Sequence, residues 1–230
     1  MPSMPNVWFA IPSARPPEEA MNCLSAWQGM GYKVAVFRDE NAEKLPVDLV
    51  IRQPYEGYAK AVNFLAKYLL HYDPEWEWLV TAGDDVFPDP DHTPEEIAAS
   101  CTEFFKGTLG VMQPTGDRFM EDAQGRCGAE RVCISPWMGR EWVERAYEGK
   151  GPMWPGYIHA YVDEDLHNVA LKHGKLWHRP DITQHHDWYG RKGEAKPEHL
   201  VRADAHFESG KKLFQQRRAA GFPNSGFLPK

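Results

Sequence analysis

The chain has 230 residues, with 33 Asp and Glu against 26 Lys and Arg for a formal charge of -7, and 42% of its residues are hydrophobic. That length can bury a substantial core and favours one generous domain, while the acidic balance argues against nucleic-acid binding by the whole surface. The four cysteines form no CxxC pair, no run approaches the ~20 apolar residues of a membrane span, and the first residues lack a basic segment followed by a long apolar one. A zinc ribbon, a disulfide scaffold and a membrane anchor are therefore not indicated, and a soluble cytoplasmic protein is expected.

The first half alternates strand and helix signals. An apolar run over 7–11 reads as a strand that Pro12 ends. Pro16 and Pro17, followed by Glu18 and Glu19, open a helix with acids where its dipole favours them, and Ala20, Cys23, Leu24 and Trp27 give it a buried stripe. Strands are expected over 32–37, ending at Arg38-Asp39-Glu40, and over 47–51. A helix over 57–70 places Ala59, Val62, Ala66 and Leu69 inward.

Residues 76–91, WEWLVTAGDDVFPDPD, carry the densest chemistry. The apolar 79–82 suits a buried strand, Gly83 ends it, and Pro88 and Pro90 prevent its continuation. Asp84 and Asp85 then emerge at the strand's carboxyl end, where open α/β sheets place ligands, and two hard carboxylates there suit a divalent cation. A solvated acidic turn is the competing explanation, since Gly, Asp and Pro are ordinary turn residues.

Thr93-Pro94-Glu95-Glu96 is a capping box that starts a helix running to about 105, and a strand follows over 109–112. Such alternation implies right-handed crossovers and a mostly parallel sheet. The second half is less regular. Residues 115–130 read as a mobile loop, 131–134 as a strand and 140–147 as a helix. GKGPMWPGY over 149–157 is a cleft-lining type of loop. A helix over 163–172 opens with three acids, a short strand covers 176–178, and 178–193 looks irregular. Residues 197–220 read as one long helix, which Gly221 and Pro223 release as a tail.

Charge is uneven: residues 172–230 hold twelve Lys and Arg against six Asp and Glu, or +6, leaving -13 for residues 1–171. The basic end could face phosphates or could simply solubilise a helix. Of the nine tryptophans, five lie after residue 130. Trp154 and Trp188 are candidates to stack on an acceptor sugar or base, although core packing is the usual role of Trp.

In this order of elements the chain resembles the glycosyltransferases of the GT-A fold, particularly the family 2-like enzymes. The residues that carry the resemblance are the strand ending in Pro12 with Ser13 to Arg15 behind it, Asp39 after the second strand, the helix led by Gly57 with Ala59 and Asn63, and the strand closing on Asp84-Asp85. It spans about 6–191 and implies a Rossmann-like αβα sandwich with a mostly parallel central sheet and a C-terminal helix. The domain would cover 1–192, with a nucleotide-sugar half to about 113 and an acceptor half over 114–192, and 193–230 would be a helical extension and tail.

The resemblance implies a metal-dependent, inverting enzyme that moves a sugar from a nucleoside diphosphate sugar to a hydroxyl acceptor with Mn²⁺ or Mg²⁺. Asp39 would contact the nucleobase or ribose, Asp84 the ribose or sugar, and Asp85 the metal, with Pro12, Arg15, Lys60 and Asn63 in the donor site. His186 or His185 would complete the metal site, and Arg191, with Lys192 beside it, would face the diphosphate. Asp165 is the expected catalytic base, with Asp163 as its alternate; acids at a helix start are also stabilising without catalysis. One departure is Gly83, which stands where the family motif has its first Asp. The acceptor could be a glycan or a hydroxymethyl pyrimidine in DNA. A nucleotidyltransferase is disfavoured because the loop after the first strand has no glycine, and a non-catalytic glycan-binding module is the third class.

Overall fold

A computed structural model of the chain describes residues 6–122, 124, 125 and 127–229, the His199 side chain excepted. The expectations for residues 1–5, for positions 123 and 126 of the 115–130 loop, and for residue 230 of the tail lie outside the described residues.

The architecture is an α/β fold around a mixed, mostly parallel seven-stranded sheet. Its strands, in chain order, are β1 (Asn6–Pro12), β2 (Lys33–Arg38), β3 (Leu49–Arg52), β4 (Trp76–Val80), β6 (Val111–Pro114), β7 (Trp137–Gly139) and β8 (Leu176–Arg179), arranged β3-β2-β1-β4-β7-β6-β8. Only β7 runs against its neighbours, pairing antiparallel with β4 and β6. Two residues of β5 (Val86–Phe87) pair antiparallel with β9 (His185–His186) in a separate ribbon at the end of β4.

Strand alternation sends successive side chains to opposite faces. Trp8 and Ala10 of β1 and Leu79 of β4, joined by Trp76 through a register shift between β1 and β4 at residue 77, enter a core beneath α2 (Tyr58–Tyr72), α4 (Arg140–Gly149) and α5 (Val162–Lys172). Val7, Phe9 and Ile11, with Trp78 and Val80, join a second core beneath α1 (Pro17–Gly29) and α3 (Pro94–Phe105). The apolar runs of β1 and β4 are continuous rather than alternating because helices cover both faces. Six of the tryptophans, at positions 8, 27, 76, 78, 137 and 142, are fully buried, so most of this aromatic surplus is core.

The helix starts follow their local chemistry. Thr93 and Glu96 exchange both capping-box hydrogen bonds ahead of α3, and Pro17 begins α1. Four expectations need correction. Residues 131–134 are not a strand: they follow a single 3₁₀ turn (Gly128–Glu130), and the missing strand is β7. The 178–193 segment is not wholly irregular, since it holds β9 and a short helix α6 (Tyr189–Lys192).

The terminal helix is two: α7 (Glu198–Asp204) and α8 (Phe207–Ala219). The chain turns at Ala205 and His206, so that α7 borders a cleft while α8 lies on α5 with Gly210 against the Ala160 carbonyl. Nor is the tail released. Phe222 is buried, Phe227 meets the Trp142 ring edge-on, and Leu228 exchanges backbone and side-chain hydrogen bonds with Arg145. Apolar residues in a terminal segment that can reach an open core edge bury themselves there. The four cysteines are free and buried, and no helix among the described residues is long and apolar enough to cross a membrane.

Candidate functional site

A cleft of about 1100 Å³ opens at the carboxyl ends of β1, β2 and β4. Its rim includes Pro12, Asp39, Asp84, Asp85, Asp163, His186 and Trp188, seven of the residues that the sequence singled out. An open parallel sheet leaves a crevice at this end because the connections diverge there to opposite faces.

β4 covers 76–80 rather than the expected 79–82, so Asp84 and Asp85 lie in a turn beyond its end, after three intervening residues, and α1 secures the ribbon behind them. Trp27 Nε1 and Cys23 Sγ both donate to the Val86 carbonyl, at 2.7 and 3.0 Å. Ser13 Oγ donates to Asp84 Oδ2 at 2.6 Å, and Arg15 Nε donates to Asp84 Oδ1 at 2.7 Å. Arg15 also reaches Asp85 Oδ2 at 3.4 Å. The first-strand loop thus braces the acidic pair. Arg15 is not a free cation in the cleft.

Asp85 Oδ1 faces His186 Nε2 at 3.2 Å. Burial pushes the Asp85 carboxyl up, but hydrogen bonding to His186, its charge and that of Arg15 outweigh burial and hold the group below its ordinary range. The β5–β9 ribbon creates this meeting, with Val86 opposite His186 and the Asp187 N–H donating to the Asp85 carbonyl at 2.8 Å. The His186 ring lies on Phe119 with centroids 4.2 Å apart, and its Nδ1 is buried with no hydrogen-bond partner among the described residues. Gly83 has a local reason: a Cβ there would collide with Asp85 Oδ1, so glycine at this position makes room for the carboxylate.

Period-two alternation sends His185 to the other face of the ribbon. Its Nδ1 meets Asp117 Oδ1 at 3.0 Å, and Arg191 Nη1 donates to both Asp117 oxygens at 2.8 and 3.0 Å. His185 and Arg191 are therefore gathered around Asp117 and are not brought to Asp85. Lys192 is paired with Asp187 and Glu194. Among the described residues no group of three or more His, Cys, Asp and Glu side chains is placed to hold a metal ion.

The opposite wall comes from α2, α5 and the loop between α4 and α5. Gly57 adopts φ 120° where a Cβ would strike the Ile158 backbone, and the Tyr58 N–H donates to the Ile158 carbonyl at 2.6 Å. This close approach fixes the floor. The Tyr58 hydroxyl contacts Thr81 Oγ1 at 3.2 Å, and burial raises its pKa. Asn63 is buried outside the cleft, donating to the Met153 carbonyl at 2.8 Å and accepting from its N–H at 3.0 Å. It holds the Gly/Pro/Trp loop in place. Lys60 is exposed and paired with Glu56 at 2.7 Å.

The three acids that open α5 part company. Asp163 and Glu164 line the cleft, whereas Asp165 is 0% exposed in the core. Arg217 Nε donates to Asp165 Oδ2 at 2.6 Å, and the Tyr147 and Tyr157 hydroxyls donate to its two oxygens at 3.0 and 3.1 Å. The structure does not bring Asp165 to the cleft, because the apolar face of α5, Val162, Leu166 and Val169, carries it inward. Trp154 lies under the Arg217 guanidinium, 3.9 Å from ring centroid to Cζ, and serves the same core cluster. Trp188 does border the cleft, edge-on to Phe119.

Sequence reasoning placed Ser13 only in the first-strand loop, gave no separate role to Tyr58, Asp117 or Glu164, and did not foresee Arg217 as the partner of Asp165. A signal existed for Arg217, since Gly210, Phe214 and Arg217 share one helical face. No protein-family model matches the chain, and no curated protein matches it.

Proposed function

We propose that the chain is a GT-A-type glycosyltransferase that transfers a sugar from a nucleoside diphosphate sugar to a hydroxyl acceptor with the help of a divalent cation. The observation that carries it is the Asp85–His186 pair, 3.2 Å apart at the carboxyl end of the sheet, inside a cleft whose far wall presents Asp163. That separation suits two adjacent ligands of an ion whose bonds are about 2.1 Å long, and a carboxylate with an imidazole suits Mn²⁺. His186 Nε2 is the ring nitrogen turned to the carboxylate, while its buried Nδ1 has no partner among the described residues.

Asp85 and His186 would hold the cation, with substrate oxygens completing its shell. Bound there, it would neutralise the diphosphate as that group leaves. Asp39, exposed beyond β2 and bordering the cleft, would contact the ribose or base. Asp84 is oriented by Ser13 and Arg15. A general base must lie within reach of the acceptor hydroxyl it deprotonates, and Asp163 takes that role in place of Asp165, whose oxygens are occupied by Arg217 and two tyrosines. Phe119, Tyr161, Trp188 and Phe207 offer apolar faces to an acceptor. A hydroxymethylated base in DNA and a glycan are the two acceptor classes.

Thermal-shift measurements with nucleoside diphosphate sugars, with and without Mn²⁺, test the donor half, because binding to the native state raises Tm. A cation-dependent rise with one nucleotide, followed by release of its diphosphate in the presence of acceptor, is expected. Absence of any rise across the common nucleotides would overturn the proposal.

A further inference from the structure

The outer face of α2 is aromatic where a solvated helix is ordinarily polar. Phe64, Tyr68 and Tyr72 are 38, 43 and 51% exposed. Residues four apart on a helix stand one above the other, so the three rings form a row. Neighbouring rings are near parallel, with centroids 6.5 Å apart at 16° and 5.7 Å apart at 29°. Core packing does not account for them, because α2 meets the sheet through another stripe, Ala59, Val62, Leu65, Ala66 and Leu69. Single exposed apolar side chains are ordinary, whereas a contiguous row marks a surface that binds something.

The row leads to the cleft. Phe64 meets Phe37 edge-on with centroids 6.0 Å apart, and Phe37 meets Tyr55, itself exposed at the cleft rim, at 6.5 Å. Phe37 and Glu56 border both the cleft and a smaller hollow of about 330 Å³ whose wall includes Lys60 and Phe64.

Charge selects the occupant. The exposed positions of α2 that are not aromatic are Lys60, Lys67 and His71, and α2 has no Asp or Glu at all, in a chain whose formal charge is -7. Lys60 is paired with Glu56, but no carboxylate pairs with Lys67 among the described residues. Sugar hydroxyls donate as well as accept, so a neutral glycan calls for carboxylates and amides beside the rings it stacks on, and this face exposes none on the helix. Phosphate oxygens only accept, and lysines suit them. The ring spacing excludes a duplex: separations of 5.7 and 6.5 Å exceed the about 3.4 Å rise per nucleotide of a paired strand, so successive rings meet successive bases only in a strand that is unpaired and drawn out.

We propose that this face of α2 binds single-stranded nucleic acid. Bases stack on Phe64, Tyr68 and Tyr72, phosphates are drawn to Lys67, and the strand runs past Phe37 and Tyr55 into the cleft. That the strand is then the acceptor rests on the glycosyltransferase reading; the binding does not.

The test follows the fluorescence anisotropy of a labelled oligothymidylate of about 12 nucleotides, a length such surfaces commonly cover, with no nucleotide sugar present. A Kd below about 100 μM at physiological salt is expected for the wild type. Phe64→Ala and Tyr68→Ala should each weaken binding about 5- to 100-fold, the worth of one stacked base, while Tyr68→Phe, which keeps the ring, should bind like the wild type. Lys67→Gln should make the slope of log affinity against log salt shallower by about 0.7, the share of one phosphate. The denaturation midpoints of these variants should match that of the wild type, since the substituted side chains are exposed.

A duplex of the same length bound as tightly, a neutral maltooligosaccharide bound in place of the strand, or alanine variants that hold the strand normally would each overturn the proposal. So would a wild type that sediments as a dimer beside a Phe64→Ala variant that sediments as a monomer, because the row would then join two copies of the chain. Strand binding without any release of nucleoside diphosphate would sink the glycosyltransferase reading and leave this site standing, and sugar transfer to a neutral glycan without strand binding would do the reverse.

Discussion

Two carboxylates in one turn of α5, Asp163 and Asp165, differ by half a helical rotation and end in opposite settings. Asp165 spends both oxygens on Arg217, Tyr147 and Tyr157 within the core. Asp163 faces a large cleft with Glu164 beside it. The lesson concerns spare capacity: a carboxylate whose lone pairs are consumed by the fold stabilises, and one left partly unsatisfied at a cavity is free to act. The Asp84–Asp85 pair sits between these extremes, braced by Ser13, Arg15 and His186 yet open to the cleft.

The sharpest way to break this comparison is to remove the partner in the core. Arg217→Ala should destabilise the protein by about 3–5 kcal/mol, because it strands a buried charge. Chemical denaturation measures it, and an unchanged midpoint would show that Asp165 is not held by this pair. The counterpart in the cleft is Asp163→Asn, which should leave the denaturation midpoint in place and cut transfer about 10²–10⁴-fold at unaltered donor affinity. Near-normal turnover would remove Asp163 from the chemistry.

Asp85→Ala is expected to cost more than about 100-fold in Mn²⁺ affinity with little loss of stability, as followed by calorimetric titration. Equal Mn²⁺ binding by variant and wild type would return the Asp85–His186 contact to a plain ion pair. Core and cleft should also separate by pH. His167 and His178 stack with centroids 5.4 Å apart, and burial lowers both below their ordinary pKa, with His178 adding to the effect on His167. As pH falls below about 6.5 the unfolded chain binds protons first, so stability should drop by up to about 1.4 kcal/mol per pH unit for each histidine. His178→Phe should flatten that slope, and a wild-type stability that is level between pH 7 and 5 would contradict the assignment.

The smallest effect is expected on the outer face of α8. Neutralising Lys211, Lys212 and Arg218 while sparing the buried Arg217 should change stability by less than about 0.5 kcal/mol. If the acceptor is DNA, the same variant should show a shallower dependence of acceptor binding on salt, and an identical slope would exclude this face as a phosphate contact.

Much of this was legible in the residues themselves. Continuous apolar runs, a capping box and helix-opening prolines located every long element of the first half, and the Gly-Asp-Asp turn after β4 pointed to the cleft. Asp165 was misjudged despite an available signal. Val162, Asp165, Leu166 and Val169 fall on one helical face, so the periodicity that makes α5 amphipathic already turns Asp165 inward and leaves Asp163 off that face.

Other features had no local signal. Three residues of β7 enter the sheet antiparallel only because β4 and β6 leave a gap between them, and the break between α7 and α8 falls where no Gly or Pro marks it. What the sequence determined alone was the alternation of elements and the residue types at the strand ends, because propensity, capping and hydrophobic period act over a few positions. Which carboxylate met Arg217, which histidine met Asp85 and where the tail came to rest were decided by the tertiary structure, since those partners lie 52 and about 100 positions apart and pair only once the two cores have formed.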